Sequence, residues 1–375
     1  MNHKYIATVA SGLEEIAAKE LIQIGAENVT TDFTCVHFSG DKKLLYKVNL
    51  WARTIFRVLK PIEKIKCFNK KELYQNIQKI DWSNYLTPEA SLAVNCTGGN
   101  QQLNHTHFTA LEIKNAIVDQ QMTKYKQRSN IDTENPDILV NAHIYQNHCI
   151  LSLDSSGNSL HRRGYRPAMG LAPLKESLAA ALLDLAEWTP DLAFLDPLCG
   201  SGTLPIEAAL KALNIAPGLY RENFAFQTWP DYDQSLWNEL VNEAENSQKL
   251  KLSAPIIGSD ASDEVIKQAN LNARNSGVRN QVKLFQKNLA EVEAPADSGI
   301  IICNPPYGKR IGEFEENTAL YKLLGDVFKQ RFKGWTAYIL TGNKELAKKV
   351  GLKASRRIPV NNGAIPCTLL KYELY

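Results

Sequence analysis

The sequence predicts an α/β protein in which an open, doubly wound sheet over residues 190–375 follows two smaller α+β units. Two observations carry this. Short apolar strands alternate with helical stretches throughout the second half, as a layered parallel sheet requires. Residues 1–65 instead run strand–helix–strand–strand–helix–strand, the order of a split βαβ unit. The length of 375 residues exceeds what a single core usually supports, so several domains are expected. Hydrophobic residues make up 44% and charged residues 22%, a soluble globular profile. No apolar run approaches the length of a membrane span. The N-terminus lacks the apolar run and cleavage site of a secretory leader. Seven cysteines are scattered singly, which fits neither a disulfide framework nor a zinc pair. A cytoplasmic location and no metal are expected.

In the first unit, residues 5–10 read as a strand. Leu13, Ile16, Ala17, Leu21 and Ile24 then recur at helical spacing until Gly25. Val29 to Phe38 gives one or two strands, Asp41 caps a second helix, and Arg53 to Pro61 returns to strand character. A second unit over 66–160 contains a helix from Lys70 to Ile80 and a strand from Leu92 to Cys96. A long helix from Thr109 to Tyr125 follows, with paired strands at 138–144 and 149–154. Leu111, Ile113, Ile117, Val118 and Met122 are taken as the apolar set of that helix. Its basic end, Lys124, Lys126 and Arg128, suits a polyanion. His105 and His107 lack a third metal ligand and read as solvated loop residues. Residues 161–189 join the halves through Arg162-Arg163-Gly164-Tyr165-Arg166, whose interleaved aromatic suits phosphate contact and stacking. A solvated basic linker would look the same. Net charge is only +3, but Lys and Arg exceed Asp and Glu by 20 to 16 over residues 1–168.

The second half carries the motifs. Phe194-Leu195-Asp196-Pro197-Leu198-Cys199-Gly200-Ser201-Gly202-Thr203 reads as strand, tight turn and helix start, an arrangement that offers backbone N–H groups to a polar ligand. It has neither the dinucleotide G-x-G-x-x-G spacing nor a P-loop ending; alone it could be a structural turn. Strands are expected at 193–196, 256–259, 282–285, 299–303 and 335–341, with terminal pieces near 356–360 and 367–374. Ligands of open sheets lie beyond the carboxyl ends of strands, where Asp260, Asn288 and Asn304-Pro305-Pro306-Tyr307 fall. Asp260 can accept from a ribose diol or cap a helix; Asn288 can pair with an adenine edge or merely turn the chain.

This pair of motifs resembles the class I S-adenosylmethionine-dependent amino-methyltransferases, which combine a D-P-x-C-G-S-G-T loop with an N-P-P-Y tetrad. More closely, the chain is similar to the THUMP-domain 23S rRNA guanine N2-methyltransferases and to the N-terminal half of the fused bacterial enzyme RlmL. Residues 10–15, 163–166, 172–176 and 215–218 extend the likeness along nearly the whole chain. The resemblance implies a ferredoxin-like domain (1–65), a THUMP domain (66–160) and a Rossmann-like methyltransferase domain (190–375). S-adenosylmethionine would be the cofactor, and 23S rRNA or a large-subunit precursor the partner. Asp196, Cys199, Gly200, Gly202 and Thr203 would shape the methionine side of the cofactor site, Asp260 would hold the ribose and Asn288 would meet the adenine, where relatives commonly carry aspartate. Lys175, beside Glu176, would close that site from the other side.

In-line transfer to an exocyclic amine needs placement more than acid–base work. The Asn304 side-chain oxygen and the Pro305 carbonyl would accept the amine hydrogens, Pro306 would stiffen the turn, and Tyr307 would stack on an extruded base. Lys309 and Arg310 are expected at phosphates. The second methyltransferase of the fused enzyme is expected to be absent. The tetrad does not separate guanine N2 from adenine N6, so adenine methylation of DNA or another RNA, or a non-catalytic RNA-binding role, remains an alternative reading.

Overall fold

Residues 2–166, 174–308 and 313–375 are described by the computed structural model. The first half is built from β1 (His3–Thr8), α1 (Glu14–Ile24), β2 (Glu27–Asp32), β3 (Cys35–Gly40), α2 (Lys42–Trp51), β4 (Arg57–Lys66), α3 (Lys70–Gln78), β5 (Leu92–Gly99), α4 (Thr106–Tyr125), β6 (Ile138–Tyr145) and β7 (His148–Asp154). Local chemistry sets the boundaries. Gly25 stops α1 at φ +110°, in the left-handed region, and the Asp41 carboxylate opens α2 by accepting from the Leu44 N–H at 2.8 Å.

One sheet, ordered β2-β3-β1-β4-β7-β6-β5, runs through both N-terminal units. Strand β4 joins them, pairing with β1 near its start and with β7 along its length. It outlasts the expected end at Pro61, because the proline sits where the register with β7 shifts. A residue without an N–H is tolerated at such a bulge. Helix α4 also differs from expectation: Ile113, Ile117 and Val118 are buried, but Leu111 and Met122 are 40% and 43% exposed. At 100° per residue those two lie opposite Ile113, so the five apolar positions never formed a single stripe.

The second half contains α5 (Glu176–Leu185), β8 (Ala193–Asp196), α6 (Thr203–Ala212), α7 (Gln234–Asn246), β9 (Ile256–Asp260), α8 (Asp263–Asn275), β10 (Lys283–Gln286), β11 (Gly299–Cys303), α9 (Glu313–Arg331), β12 (Thr336–Thr341), α10 (Lys344–Lys349), β13 (Arg356–Asn362) and β14 (Ile365–Glu373). Its sheet order is β10-β9-β8-β11-β12-β14-β13. The first five strands are parallel, and β14 enters antiparallel between β12 and β13. Strand order reverses between β8 and β11, the switch point at which a crevice opens above the carboxyl ends.

The halves are packed together. Tyr46 of α2 stacks on Phe226 with ring centroids 4.3 Å apart, and the Arg53 guanidinium donates to the Ile215 carbonyl at 2.7 Å. A hydrophobic core continues from the N-terminal sheet into the face of the second sheet that packs on α6. Among the described residues no helix is long and apolar enough to cross a membrane.

Candidate active site

The two motif loops lie side by side because β8 and β11 are parallel neighbours, with Leu195 opposite Ile301. Adjacent strands are about 4.8 Å apart, so the chain leaves both strands into the same crevice. At the end of β8, Asp196 is buried and accepts from the Leu198 N–H at 3.1 Å. Burial pushes its carboxyl pKa well above the usual range, and the nearby Asp260 adds to the rise. The Cys199 N–H donates to the Ser259 carbonyl at 2.9 Å, the Gly200 N–H to Asp260 Oδ2 at 3.1 Å and the Gly202 N–H to the Cys199 carbonyl at 2.9 Å. The loop therefore spends most of its donors on itself and on β9, rather than presenting them freely as the sequence suggested.

What the loop leaves is space. A Cβ placed at Gly200, where φ is +52°, would meet nothing within 4 Å. Gly202, at φ +83°, starts α6, and Thr203 is buried behind it. Asp260 Oδ1 accepts from the Ser262 N–H at 3.1 Å, while Ser262 itself caps α8. Each Asp260 oxygen keeps a second lone pair for a diol. Asn288 is exposed and caps a short 3-10 turn, accepting from the Ala290 N–H at 3.1 Å. Its side-chain oxygen is thus partly committed to the turn.

Asn304 follows β11. Its Oδ1 is buried and has no hydrogen-bond partner among the described residues. An unmade bond at a buried acceptor costs about 1–3 kcal/mol, so this atom is held ready for a donor. Pro305 is buried and Pro306 exposed. Tyr307 is half-buried; its hydroxyl accepts from Asn362 Nδ2 at 2.7 Å and lies 3.7 Å from the Cys367 sulfur. Its ring rests against Gly342, where a Cβ would come within 3.0 Å of the ring edge. Burial pushes the phenol pKa up to about 12. Cys199 and Cys303 are buried, and burial raises both thiols well above their usual pKa, so neither supplies a thiolate.

The structure corrects part of the expected RNA surface. Arg163 is only 1% exposed; its guanidinium faces Glu207 at 3.4 Å and donates to the Leu160 carbonyl at 2.8 Å. Tyr165 is also buried, donating to Glu207 Oε1 at 3.1 Å. Arg166 pairs with Glu176 at 3.2 Å and donates to Thr203 Oγ1 at 2.9 Å. These three residues pin the joint to the motif loop and do not face solvent. A charge cannot be left bare in a core, so both arginines meet a carboxylate, and the neutral phenol donates to one. Arg162, Lys124, Lys126 and Arg128 are exposed, although Lys124 pairs with Asp81 at 3.2 Å. Lys309 and Arg310 lie outside the described residues. Lys175 is turned toward the N-terminal half, its ammonium 5.2 Å from the centre of the Phe56 ring.

Glu207, Asn362 and Gly342 were missed from the sequence. Glu207 had a signal: a lone acid in the otherwise apolar stretch from Leu204 to Leu210. Asn362 and Gly342 had none, because the tetrad is more than thirty residues away.

The residues present suit a ligand with an amino-acid end, a ribose and a base laid along this crevice. Spare acceptors on Asp260, space at Gly200 and the buried Asn304 oxygen follow one another along the ends of β9, β8 and β11.

Family models match the chain in three consecutive segments: an RlmL ferredoxin-like domain over residues 4–59, a THUMP domain over 68–154 and an RMKL-like methyltransferase domain over 163–371. The Synechocystis sp. protein slr0064, named as a candidate RNA methyltransferase, is 57% identical over 371 residues, covering 99% of this chain and 97% of its own. The ribosomal RNA large subunit methyltransferase K/L of Cellvibrio japonicus is 40% identical over 387 residues and matches 100% of this chain. That match takes in 51% of the K/L protein, so this chain spans about half its length. Among solved structures, SMU.472, described as a candidate methyltransferase complexed with SAH, superposes with a TM-score of 0.88 at 30% identity, covering 100% of this chain and 98% of that one. A Listeria monocytogenes protein, described as a predicted N6-adenine-specific DNA methylase, gives 0.88 at 31% identity, with 100% and 97% covered. The segments follow the order expected from the sequence, and the mixed α/β fold is the expected one.

Proposed function

This chain belongs to the RMKL-like methyltransferase family, and we propose that it transfers a methyl group from S-adenosylmethionine to the exocyclic N2 of a guanine in 23S rRNA. The observation that carries this reading is the buried Oδ1 of Asn304, without a partner among the described residues, beside the Asp196–Thr203 loop. The bound cofactor would supply an already activated sulfonium methyl group. Asn304 Oδ1 and the Pro305 carbonyl accept the two amine hydrogens and aim the nitrogen lone pair at that group. The rate gain comes from orientation and from acceptors aimed at the developing charge. Asp260 holds the ribose, and Tyr307, braced by Asn362 and Gly342, offers its ring to a base taken out of its stack. The K/L relatives and the THUMP match favour ribosomal RNA over DNA as the acceptor.

The adenine reading is supported by the likeness to the Listeria protein described as a predicted N6-adenine-specific DNA methylase. Incubation with methyl-labelled S-adenosylmethionine and, separately, unmodified 23S rRNA, tRNA and duplex DNA tests the substrate class. Label in 23S rRNA alone is expected; label in DNA but not in rRNA would overturn the proposal.

A further inference from the structure

A cavity of about 330 Å³ lies where the N-terminal half meets the start of α5 and the β13–β14 hairpin. Its walls include Ser11, Thr34, Phe56, Lys175, Ser177 and Asn361. We propose that this cavity is a second subsite for the substrate RNA, taking a backbone phosphate of the strand beside the nucleotide presented to Asn304. The proposal rests on the reading that the chain methylates RNA.

The lining is mixed: Val9, Ala10, Leu13, Phe56 and Leu178 are apolar, and the charged residue in it is Lys175. The Lys175 ammonium lies over the Phe56 ring, which orients a cation without neutralising it. Ser177 is 1% exposed, yet its hydroxyl has no hydrogen-bond partner among the described residues. Leaving such a donor unmade costs free energy unless a ligand uses it. The acids nearby are already engaged. Glu176 pairs with Arg166 at 3.2 Å, and Glu14 accepts from the Thr34 and Gly12 N–H groups at 3.1 and 2.8 Å. His161, edge-on to Phe56 at 6.0 Å, senses the resulting field: burial and then the charges of Lys175, Arg163, Arg162 and Arg166 lower its pKa to about 4.

The position ties the cavity to the acceptor side of the active site. Asn361 lines it, while Asn362, the next residue of β13, holds the Tyr307 hydroxyl. Successive strand side chains point to opposite faces, so one strand braces the tetrad on one side and walls the cavity on the other. Strand β13 is the edge of its sheet, so an RNA whose base is stacked at Tyr307 has to round that edge to bring its backbone to Lys175. Phe33, 80% exposed in the turn beside Thr34, adds a surface on which a neighbouring base can stack.

The test compares Lys175→Gln, Lys175→Arg and Ser177→Val with the natural chain, using single-stranded oligouridylate in filter binding across a salt series. For Lys175→Gln the log–log salt slope should become shallower by about 0.7, the value of one single-strand phosphate contact. Lys175→Arg should keep the slope, and Ser177→Val, which removes the hydroxyl, should weaken binding several-fold at unchanged slope. In methyl transfer Lys175→Gln should raise the RNA KM and leave kcat and S-adenosylhomocysteine affinity unchanged. An unaltered salt slope in Lys175→Gln would overturn the subsite. So would a loss of S-adenosylhomocysteine affinity in its place, which would return Lys175 to the cofactor. A slope change in a protein that methylates no RNA would instead retain the subsite and reject the proposed activity.

Discussion

The two loops that flank the switch point treat their polar groups in opposite ways. After β8, the N–H groups of Leu198, Cys199, Gly200 and Gly202 all find acceptors within the chain. After β11, the Asn304 oxygen is buried with none among the described residues. The first loop spends most of its donors without its ligand: it offers shape and space. The second is finished only when something donates to it. An enzyme that places a reactive nitrogen would be expected to leave an unspent acceptor on the acceptor side, because an interaction reserved for the reacting group is what lowers the barrier.

The joint belongs with the finished side. Glu207→Ala would leave Arg163 buried without its carboxylate and Tyr165 without its acceptor. The expected cost is about 3–5 kcal/mol of stability, read from denaturant unfolding, whereas Arg162→Gln on the exposed neighbour should stay within about 0.5 kcal/mol. Equal effects would mean that the joint is not a satisfied core. On the unfinished side, Asn304→Ala should lower kcat about 10²–10³-fold with S-adenosylhomocysteine affinity unchanged by calorimetry. Near-normal turnover would remove Asn304 from its assigned role.

Smaller effects sharpen the contrast. Asn362→Ala removes the brace on Tyr307 and should cost about 0.5–1.5 kcal/mol in transition-state binding, measured as kcat/KM for RNA. Because Tyr307→Phe breaks the same contact, the double variant should lose little more than either single one. Asp196→Asn keeps the acceptor for the Leu198 N–H but removes a buried charge. The folded Asp196 holds its proton to higher pH than the unfolded chain does, so the natural protein loses stability as pH climbs from the ordinary carboxylate range toward the raised value. The asparagine variant should therefore show no advantage in acid and a growing one toward neutrality, followed as thermal midpoint against pH. An advantage confined to acid would contradict the burial of that charge.

Much of the catalytic half was legible because strand ends announce themselves. The apolar run 193–196 and the run 299–303 match β8 and β11 residue for residue, and the motif residues directly follow them. The fates of the arginines were not legible. Arg-Arg-Gly-Tyr-Arg has the same local composition whether it lies on RNA, in solvent or in a core, and the partner that decides it, Glu207, is 44 residues beyond Arg163. The surroundings of Lys175 were not legible for the same reason, since Phe56 reaches it only through the packing of the halves. Asn288 shows a milder limit: the residue sits at the expected strand end, but its oxygen serves the turn.

The identity of the methylated atom tests the account most directly. Unmodified 23S rRNA treated with the protein and labelled S-adenosylmethionine should be digested to nucleosides and separated. The label is expected to elute as N2-methylguanosine, while label eluting as N6-methyladenosine would overturn the assignment of guanine N2.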